Sequence, residues 1–444
     1  MSPREDLKKI YTAAIDAVNP ENAVRANLKR KKDSIFVRDQ AGKIEEYDLT
    51  RYKNIYVVGA GKATSLMTKA VEEILGDRIT AGIICVKYGY TTELTKIRMI
   101  EGAHPVPDEM GAQGAKEIHD LLSKAGEDDL VISLISGGGS SLLPLPPESI
   151  TLGEKKTVTD LLLKSGAAIH EVNAIRKHIS RTKGGNLARA AWPATVVNMM
   201  ISDVVGDNMD VIASGPFVPD SSTFHEAREI LEKYHLIGKV PASISGYIAK
   251  GEAGEIPENP GIESKIFRNT KNSIIASNIT ALKAAMERAR KLGYNACILS
   301  SLIEGDTGDA ALWHARIARE IVATSNPLPA PACILSGGET TVVVSGQGKG
   351  GRNMEFALQA APHIHGLNTV IMASIGTDGT DGPTDAAGAL ADGTTVERAV
   401  RKNLNIDNFI GNNDSYSFFS NLGDLIITGP TNTNVMDVRI ILVS

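Results

Sequence analysis

The sequence predicts a two-domain α/β protein built around mainly parallel sheet, and three observations carry that prediction. Short apolar runs alternate with longer amphipathic ones along most of the chain, the pattern of successive βα units. The length, 444 residues, exceeds the ~100 to 200 residues of one ordinary domain. Hydrophobic residues make up 42% and charged residues 22%, a globular balance that argues against disordered, collagen-like and membrane-spanning classes.

Strands are expected where apolar runs are short and bounded by turn residues. In the first half these are 54 to 59 (NIYVVG), 81 to 86 (AGIICV), 129 to 135 (DLVISLI) and 194 to 202 (ATVVNMMIS). In the second half they are 273 to 277, 295 to 300, 331 to 336, 340 to 345 (TTVVVS), 369 to 376, 424 to 428 (DLIIT) and 439 to 444. Amphipathic stretches at 63 to 75, 279 to 293 and 307 to 325 are expected as helices between them. Gly, Pro and Glu concentrate between 237 and 260, so the domains are expected at 1–245 and 246–444.

Composition also bounds the partners. A net charge of -5 without any long Lys/Arg block gives no footprint for a nucleic acid. The N-terminus is charged from residue 4 and lacks a signal-peptide core, and no apolar run is long enough to span a bilayer. A cytoplasmic protein without a membrane partner is expected. Cys85, Cys297 and Cys333 are far apart and lie in apolar runs, as buried thiols do.

Six glycine- or acid-rich loops follow expected strands. In YVVGAGKATSLM (56 to 67) the dinucleotide fingerprint fails, since Thr64 stands where its third glycine belongs. What remains is Lys62 at a helix start, where its charge and the amides can hold an anion. In SGGGSS (136 to 141) no lysine completes a phosphate-binding Walker loop, and the order does not match a serine-nucleophile elbow. Gly137, Gly138 and Gly139 let amides converge, and Ser140 and Ser141 add hydroxyls, so an anion nest is expected. SGGETT (336 to 341) repeats that pattern, with Gly337, Gly338 and Glu339.

SDVVGDNMD (202 to 210) puts Asp203, Asp207 and Asp210 after a strand, where open α/β sheets bind ligands. GQGKGGRN (346 to 353) places Arg352 at a helix entry with Lys349 nearby, a guanidinium able to hold a carboxylate or phosphate bidentately. GTDGTDGPTDAAGA (376 to 389) carries Asp378, Asp381 and Asp385 without a balancing cation, and metal binding is the economical explanation. Arg176, Lys177 and Lys183 on a basic stretch, and His104 in AHPVPD, rank below these loops, because a basic face is commonly solvated and a lone histidine commonly structural.

Taken together, GAGKA, HPVPD, SGGGSS, RKHIS with KGG, SDVVGD, SGGETTV, GGRNMEFAL, GTDGTDGPTDAAGA and TGPTNTNVMD resemble the two-domain glycerate kinases with a C-terminal MOFRL domain, over nearly the whole chain. One departure is Asn432, where relatives often carry Gly. The resemblance implies a Rossmann-like N-terminal α/β/α sandwich and a smaller C-terminal α/β domain, with the active site in the cleft between them. It implies phosphorylation of D-glycerate by ATP, in this branch typically at the 2-hydroxyl, with Lys62 and Arg352 at the positions of the family's catalytic pair.

On that basis ATP-Mg²⁺ is expected near Asp378, Asp381, Asp385 and the loop of Gly337, Gly338 and Glu339, with the loop of Gly137 to Ser141 also on the nucleotide phosphates. Arg352 with Asn353, or Arg176, would hold the glycerate carboxylate, and Asp203 or Asp207 would take the hydroxyl proton. Phosphoryl transfer asks for positioning and charge neutralisation, which these residue types supply. Two alternatives remain: a hydroxypyruvate reductase and a non-catalytic phosphometabolite-binding protein. A homodimer is one assembly open to the chain.

Overall fold

The computed structural model describes residues 2–39 and 41–444. The chain forms two compact units, one of Pro20–Ser202 with Asp207–Ile275 and one of Met1–Asn19, Asp203–Gly206 and Ala276–Ser444. They are called here the Lys62 unit and the Arg352 unit.

The Lys62 unit opens with a small antiparallel sheet of β1 (Leu28–Lys31), β2 (Ser34–Arg38) and β3 (Ile44–Asp48). None of the three is among the expected strands: LKRK and IEEYD are charged and lack apolar alternation, and SIFVR between them alternates over only five residues. Its main sheet comprises β4 (Asn54–Ala60), β5 (Ala81–Lys87), β6 (Ile97–Gly102), β7 (Asp129–Ile135), β8 (Thr195–Ile201) and β9 (Thr270–Ala276), in the order β6-β5-β4-β7-β8-β9. Pairs β4/β5, β5/β6, β4/β7 and β7/β8 are parallel.

This order reverses at β4 and β7, and ligands bind at the carboxyl ends of strands where such a sheet changes direction. The topology therefore puts the GAGKA and SGGGSS loops side by side, with Gly59 opposite Leu134 and Ala60 opposite Ile135. β7 is buried on every residue, which explains its unbroken apolar run.

In the Arg352 unit, β10 (Asn295–Ile303), β11 (Ala332–Gly338), β12 (Val370–Gly376), β13 (Gly388–Asp392), β14 (Leu425–Ile426) and β15 (Asp437–Val443) pair in the order β10-β11-β15-β12-β13-β14. Only β10/β11 is parallel, so the expectation of a mainly parallel sheet fails here. The C-terminal strand inserts between β11 and β12 and is buried throughout. The helices Thr307–Thr324 and Arg352–Ala360 pack with β12 and β15 in one apolar core.

The expected strand at 340 to 345 is not one. Thr341 makes a single bridge to Asp306, and Val343 and Val344 are 80% and 72% exposed. The positive φ of Gly338 (125°) ends β11 before them. DLIIT contributes only the two residues of β14.

The boundary also differs from the expected division after residue 245. Residues 246 to 275 remain with the Lys62 unit, and the first helix, Pro3–Ala17, joins the Arg352 unit, packing on the helix Asn278–Lys291 and on β15. The physical reason is the apolar stripe of Leu7, Ile10 and Ala14, which is buried there. Cys85, Cys297 and Cys333 are free thiols, two of them buried as expected and Cys297 partly exposed. Among the described residues no helix is long and apolar enough to cross a membrane.

Candidate active site

The loops after β4 and β7 are laced together. A Cβ on Gly61 would lie 2.0 Å from Ser136 Oγ, so only glycine permits the approach. The Lys62 amide donates to the Gly137 carbonyl (2.9 Å) and the Ala63 amide to Ser136 Oγ (3.1 Å). Within the second loop, the Gly139 amide donates to Ser136 O and the Ser141 amide to Gly138 O, both at 3.2 Å. The expected five-residue anion nest is thus narrower. Gly139 and Ser141 hold the turn, and the amides of Gly137, Gly138 and Ser140 remain without a backbone acceptor among the described residues.

His104 and Lys62 flank this turn. A Cβ on Gly138 would meet His104 Cδ2 at 3.0 Å and Lys62 Cγ at 3.3 Å. Burial, followed by the charges of Lys62 and Lys87, pushes the His104 imidazole down to about 4. It is neutral at pH 7, in a positive field.

Ser140 gathers more cations. Arg176 donates to Ser140 Oγ at 2.5 Å, Lys183 Nζ donates to Ser140 Oγ at 3.0 Å and also to its carbonyl, and Ser214 Oγ lies 2.9 Å away. Lys155 Nζ donates to Ile179 O at 2.8 Å. Lys155 and Lys183 are buried, and burial reinforced by Arg176 pushes both well below the usual lysine range. Among the described residues none of the three basic groups pairs with a carboxylate, whereas neighbouring Lys177 pairs with Asp210 (2.8 Å) and Asp220 (3.3 Å). A buried charge without a counter-ion is costly.

The three acids of the 202 to 210 loop differ in their surroundings. Asp210 is committed to Lys177. Asp203 falls in the Arg352 unit and Asp207, half-buried at φ 57°, in the Lys62 unit.

In the Arg352 unit, Arg352 and Asn353 open the helix Arg352–Ala360. Asp381 caps it, accepting from the amides of Asn353 (3.1 Å) and Met354 (2.7 Å), and a Cβ on Gly351 would lie 2.3 Å from its Oδ1. Burial pushes Asp381 up to about 6, against these amide bonds. Arg352 does not present a free fork, as expected for substrate. Its Nε and second terminal nitrogen donate to Asp437 Oδ2 (2.7 Å) and Oδ1 (3.1 Å), and the other terminal nitrogen to Glu339 Oε1 (2.6 Å). Burial alone would lower the guanidinium, but the Asp437 carboxylate outweighs it and holds Arg352 above its usual range. Asn353 Nδ2 donates to Asp437 Oδ1 at 2.9 Å, and Arg439 to its Oδ2 at 3.3 Å.

The acidic triplet does not converge. Asp381 caps the helix, Asp385 is exposed and accepts from the Tyr416 hydroxyl (2.8 Å), and Asp378 accepts the Thr380 amide (3.1 Å). Among the described residues no group of three or more His, Cys, Asp and Glu could hold a metal ion. The residues present do not form a protein cage for Mg²⁺, which is commonly held by one or two carboxylates together with substrate phosphates. Gly337 and Gly338 serve close packing: a Cβ would lie 1.9 Å from Asn278 Oδ1 and 2.2 Å from Ile303 O. The glycines of the 346 to 350 loop likewise admit the 412 to 415 backbone, and Lys349 Nζ sits 4.3 Å above the Tyr416 ring.

Sequence reasoning gave no role to Lys155, Asp437 or Arg439. The last two did leave a signal, an acid and a guanidinium in the otherwise apolar run DVRIILV, both buried on β15.

Comparison with known proteins adds to this geometry. Residues 6–249 match a family described as a domain of unknown function, DUF4147, and residues 332–437 match the MOFRL family. A glycerate 2-kinase from Pyrococcus horikoshii is 42% identical over 100% of this chain and 98% of its own. A crystal structure of glycerate kinase from Thermotoga maritima superimposes with a TM-score of 0.88 at 38% identity, over 99% of each chain. An Agrobacterium vitis relative, 38% identical over 100% of this chain and 95% of its own, is named only provisionally, as a hydroxypyruvate reductase. Matching along both parts and at full length, the chain belongs to the glycerate kinase family in which a DUF4147 domain precedes a MOFRL domain.

Proposed function

We propose that this protein transfers the γ-phosphoryl group of ATP to the 2-hydroxyl of D-glycerate, giving 2-phosphoglycerate and ADP. The observation that carries the proposal is the group of basic side chains around Ser140: Lys155, Arg176 and Lys183, none with a carboxylate among the described residues, beside Lys62 and the Gly137 and Gly138 amides, which have no backbone acceptor there. Both substrates are anions. Relatives named glycerate 2-kinase at full-length coverage support the same chemistry.

In this mechanism the Gly137, Gly138 and Ser140 amides hold phosphate oxygens, and Arg176 answers an anionic oxygen beside Ser140. A carboxylate of the 203 to 207 turn, Asp203 or Asp207, accepts the proton as the glycerate oxygen bonds to phosphorus and the bond to ADP breaks. Lys62, and the N–H groups of Arg352 not spent on Asp437 and Glu339, offset charge on the transferring group. Mg²⁺ brought in with the nucleotide would neutralise phosphate charge.

Incubation with ATP, Mg²⁺ and D-glycerate, with the product read by phosphorus NMR, is expected to give 2-phosphoglycerate. Lys62→Ala and Arg352→Ala are each expected to lower kcat by roughly 10² to 10³. Near-normal kcat in both would remove these residues from the mechanism. Oxidation of NADH by hydroxypyruvate, without ATP-dependent product, would replace the kinase proposal with the reductase.

A further inference from the structure

A second group of cations in the Lys62 unit lies on residues that the phosphotransfer proposal does not use. The helices Glu109–Leu122, Asn186–Ala191, Phe224–Lys233 and Ala242–Glu252 contribute walls to a cavity of about 310 Å³, whose lining includes His119, Arg181, Asn186, Arg189, Phe224 and Tyr247. Small-molecule sites span roughly 300 to 1,000 Å³, so this one suits a compact ligand and not a dinucleotide.

Its charge is poorly matched from within. Arg189 donates to Asn186 Oδ1 (2.9 Å) and to the Glu258 carbonyl (2.5 Å), and pairs with no carboxylate among the described residues. Among the described residues Arg181 has one carboxylate within 4 Å, Glu148 at 3.8 Å, a side chain 94% exposed, and such a pair is weak and easily screened; Asp120 feels its charge only from farther off. The Glu258 carboxylate is spent on His178 Nε2 (3.0 Å) and the Phe224 amide (2.8 Å). His119 Nδ1 is shut from water with no hydrogen-bond partner, and Asp120, 3.8 Å away, is bonded to Lys116.

The lining is also fixed in advance. Asn186 donates to Asn259 Oδ1 (2.8 Å), Asn259 donates to Asp220 Oδ2 (2.8 Å), and Asp220 Oδ1 receives Lys177 Nζ (3.3 Å). This relay holds Asn186, and through it the Arg189 fork, before any ligand arrives. Guanidinium forks match phosphate oxygens, and the Phe224 and Tyr247 rings offer an apolar surface to a short carbon skeleton.

We propose that this cavity is a second anion site of the protein, taking a small phosphate monoester whose phosphoryl group is held by Arg181 and Arg189. Calorimetric titration of the full chain with glycerol phosphate, at ionic strength fixed with sodium chloride, tests it. One saturable site is expected to survive Lys62→Ala and to weaken about tenfold or more in Arg189→Gln, the loss of one charged hydrogen-bonding partner. Inorganic phosphate is expected to bind more weakly than the ester, and glycerol not at all. Because Arg189 also bonds the main chain, Arg181→Gln supplies a second reading from a side chain 35% exposed, and it is expected to weaken binding in the same direction. Binding unchanged in both arginine variants, lost in Lys62→Ala, or absent from the unmodified chain would overturn the site. Inorganic phosphate binding as tightly as the ester would overturn the ester assignment.

Discussion

Lys183 has 0% of its surface exposed and no carboxylate partner among the described residues, yet it donates to both oxygens of Ser140. Desolvating such an ion costs several kcal/mol. A fold selected for stability alone would place a methionine there. Lys183→Met is therefore expected to leave the melting temperature unchanged or raised while KM for the anionic substrates increases more than tenfold. A large loss of stability with an unchanged KM would make Lys183 scaffold. His314 shows the opposite economy: it is 3% exposed, its Nδ1–H donates to Ala310 O and its Nε2 accepts from the Ser336 hydroxyl, both at 2.7 Å. Burial pushes it from 6.5 down to about 4. Above pH 6.5 folded and unfolded chains both carry it neutral, and its contribution is fully present. As pH falls from 6.5 to 4 only the unfolded chain takes the proton, so stability drops, by about 3 kcal/mol in total. Melting curves of His314→Gln are expected to show a shallower slope than the parent across that window, and identical slopes would contradict the linkage.

At the scale of elements, the β7 loop works because Gly138 holds φ 84° while its α-carbon faces His104 and Lys62. Alanine there meets a left-handed backbone penalty of about 1 kcal/mol and also presses on the imidazole. Gly138→Ala is expected to lose about 1 to 2 kcal/mol in urea denaturation and to raise KM disproportionately, since His104 and the turn must move. Unchanged KM would separate the turn from binding. The neighbouring elements show what a linear pattern conveys. The run of β7 was legible because every residue is buried. TTVVVS is as strongly β-branched but pairs with no strand among the described residues, and β15, arriving from the chain end, occupies the position beside β11. β1 and β3 were illegible for the converse reason, being polar strands held by backbone pairing to β2.

For the whole molecule, the first helix is the telling segment. Leu7, Ile10 and Val18 are each 0% exposed, Arg4 pairs with Asp392 and Asp424, and Thr433 donates to Val18 O at 2.7 Å. Three such side chains contribute about 6 kcal/mol as an upper figure. That is comparable to the net stability of a whole domain. A fragment of residues 276–444 is accordingly expected to unfold at much lower urea than the same fragment with residues 1–19 joined to it. Equal midpoints would show that the helix is dispensable to the Arg352 unit.

The sequence by itself determined the fold class, most of the strands with buried apolar runs, and the family resemblance. These are local properties: glycine where backbone must approach backbone, apolar period where a face is buried, charge at a helix entry. Tertiary structure alone decided which charges are answered. It gave Arg352 to Asp437 and Glu339, spent Asp381 on a helix cap, and left Lys155, Arg176 and Lys183 without an acid among the described residues. Pairing between residues 85 positions apart, as for Arg352 and Asp437, depends on strand order. Burial, which makes an unpaired charge matter, exists only once the sheets are packed.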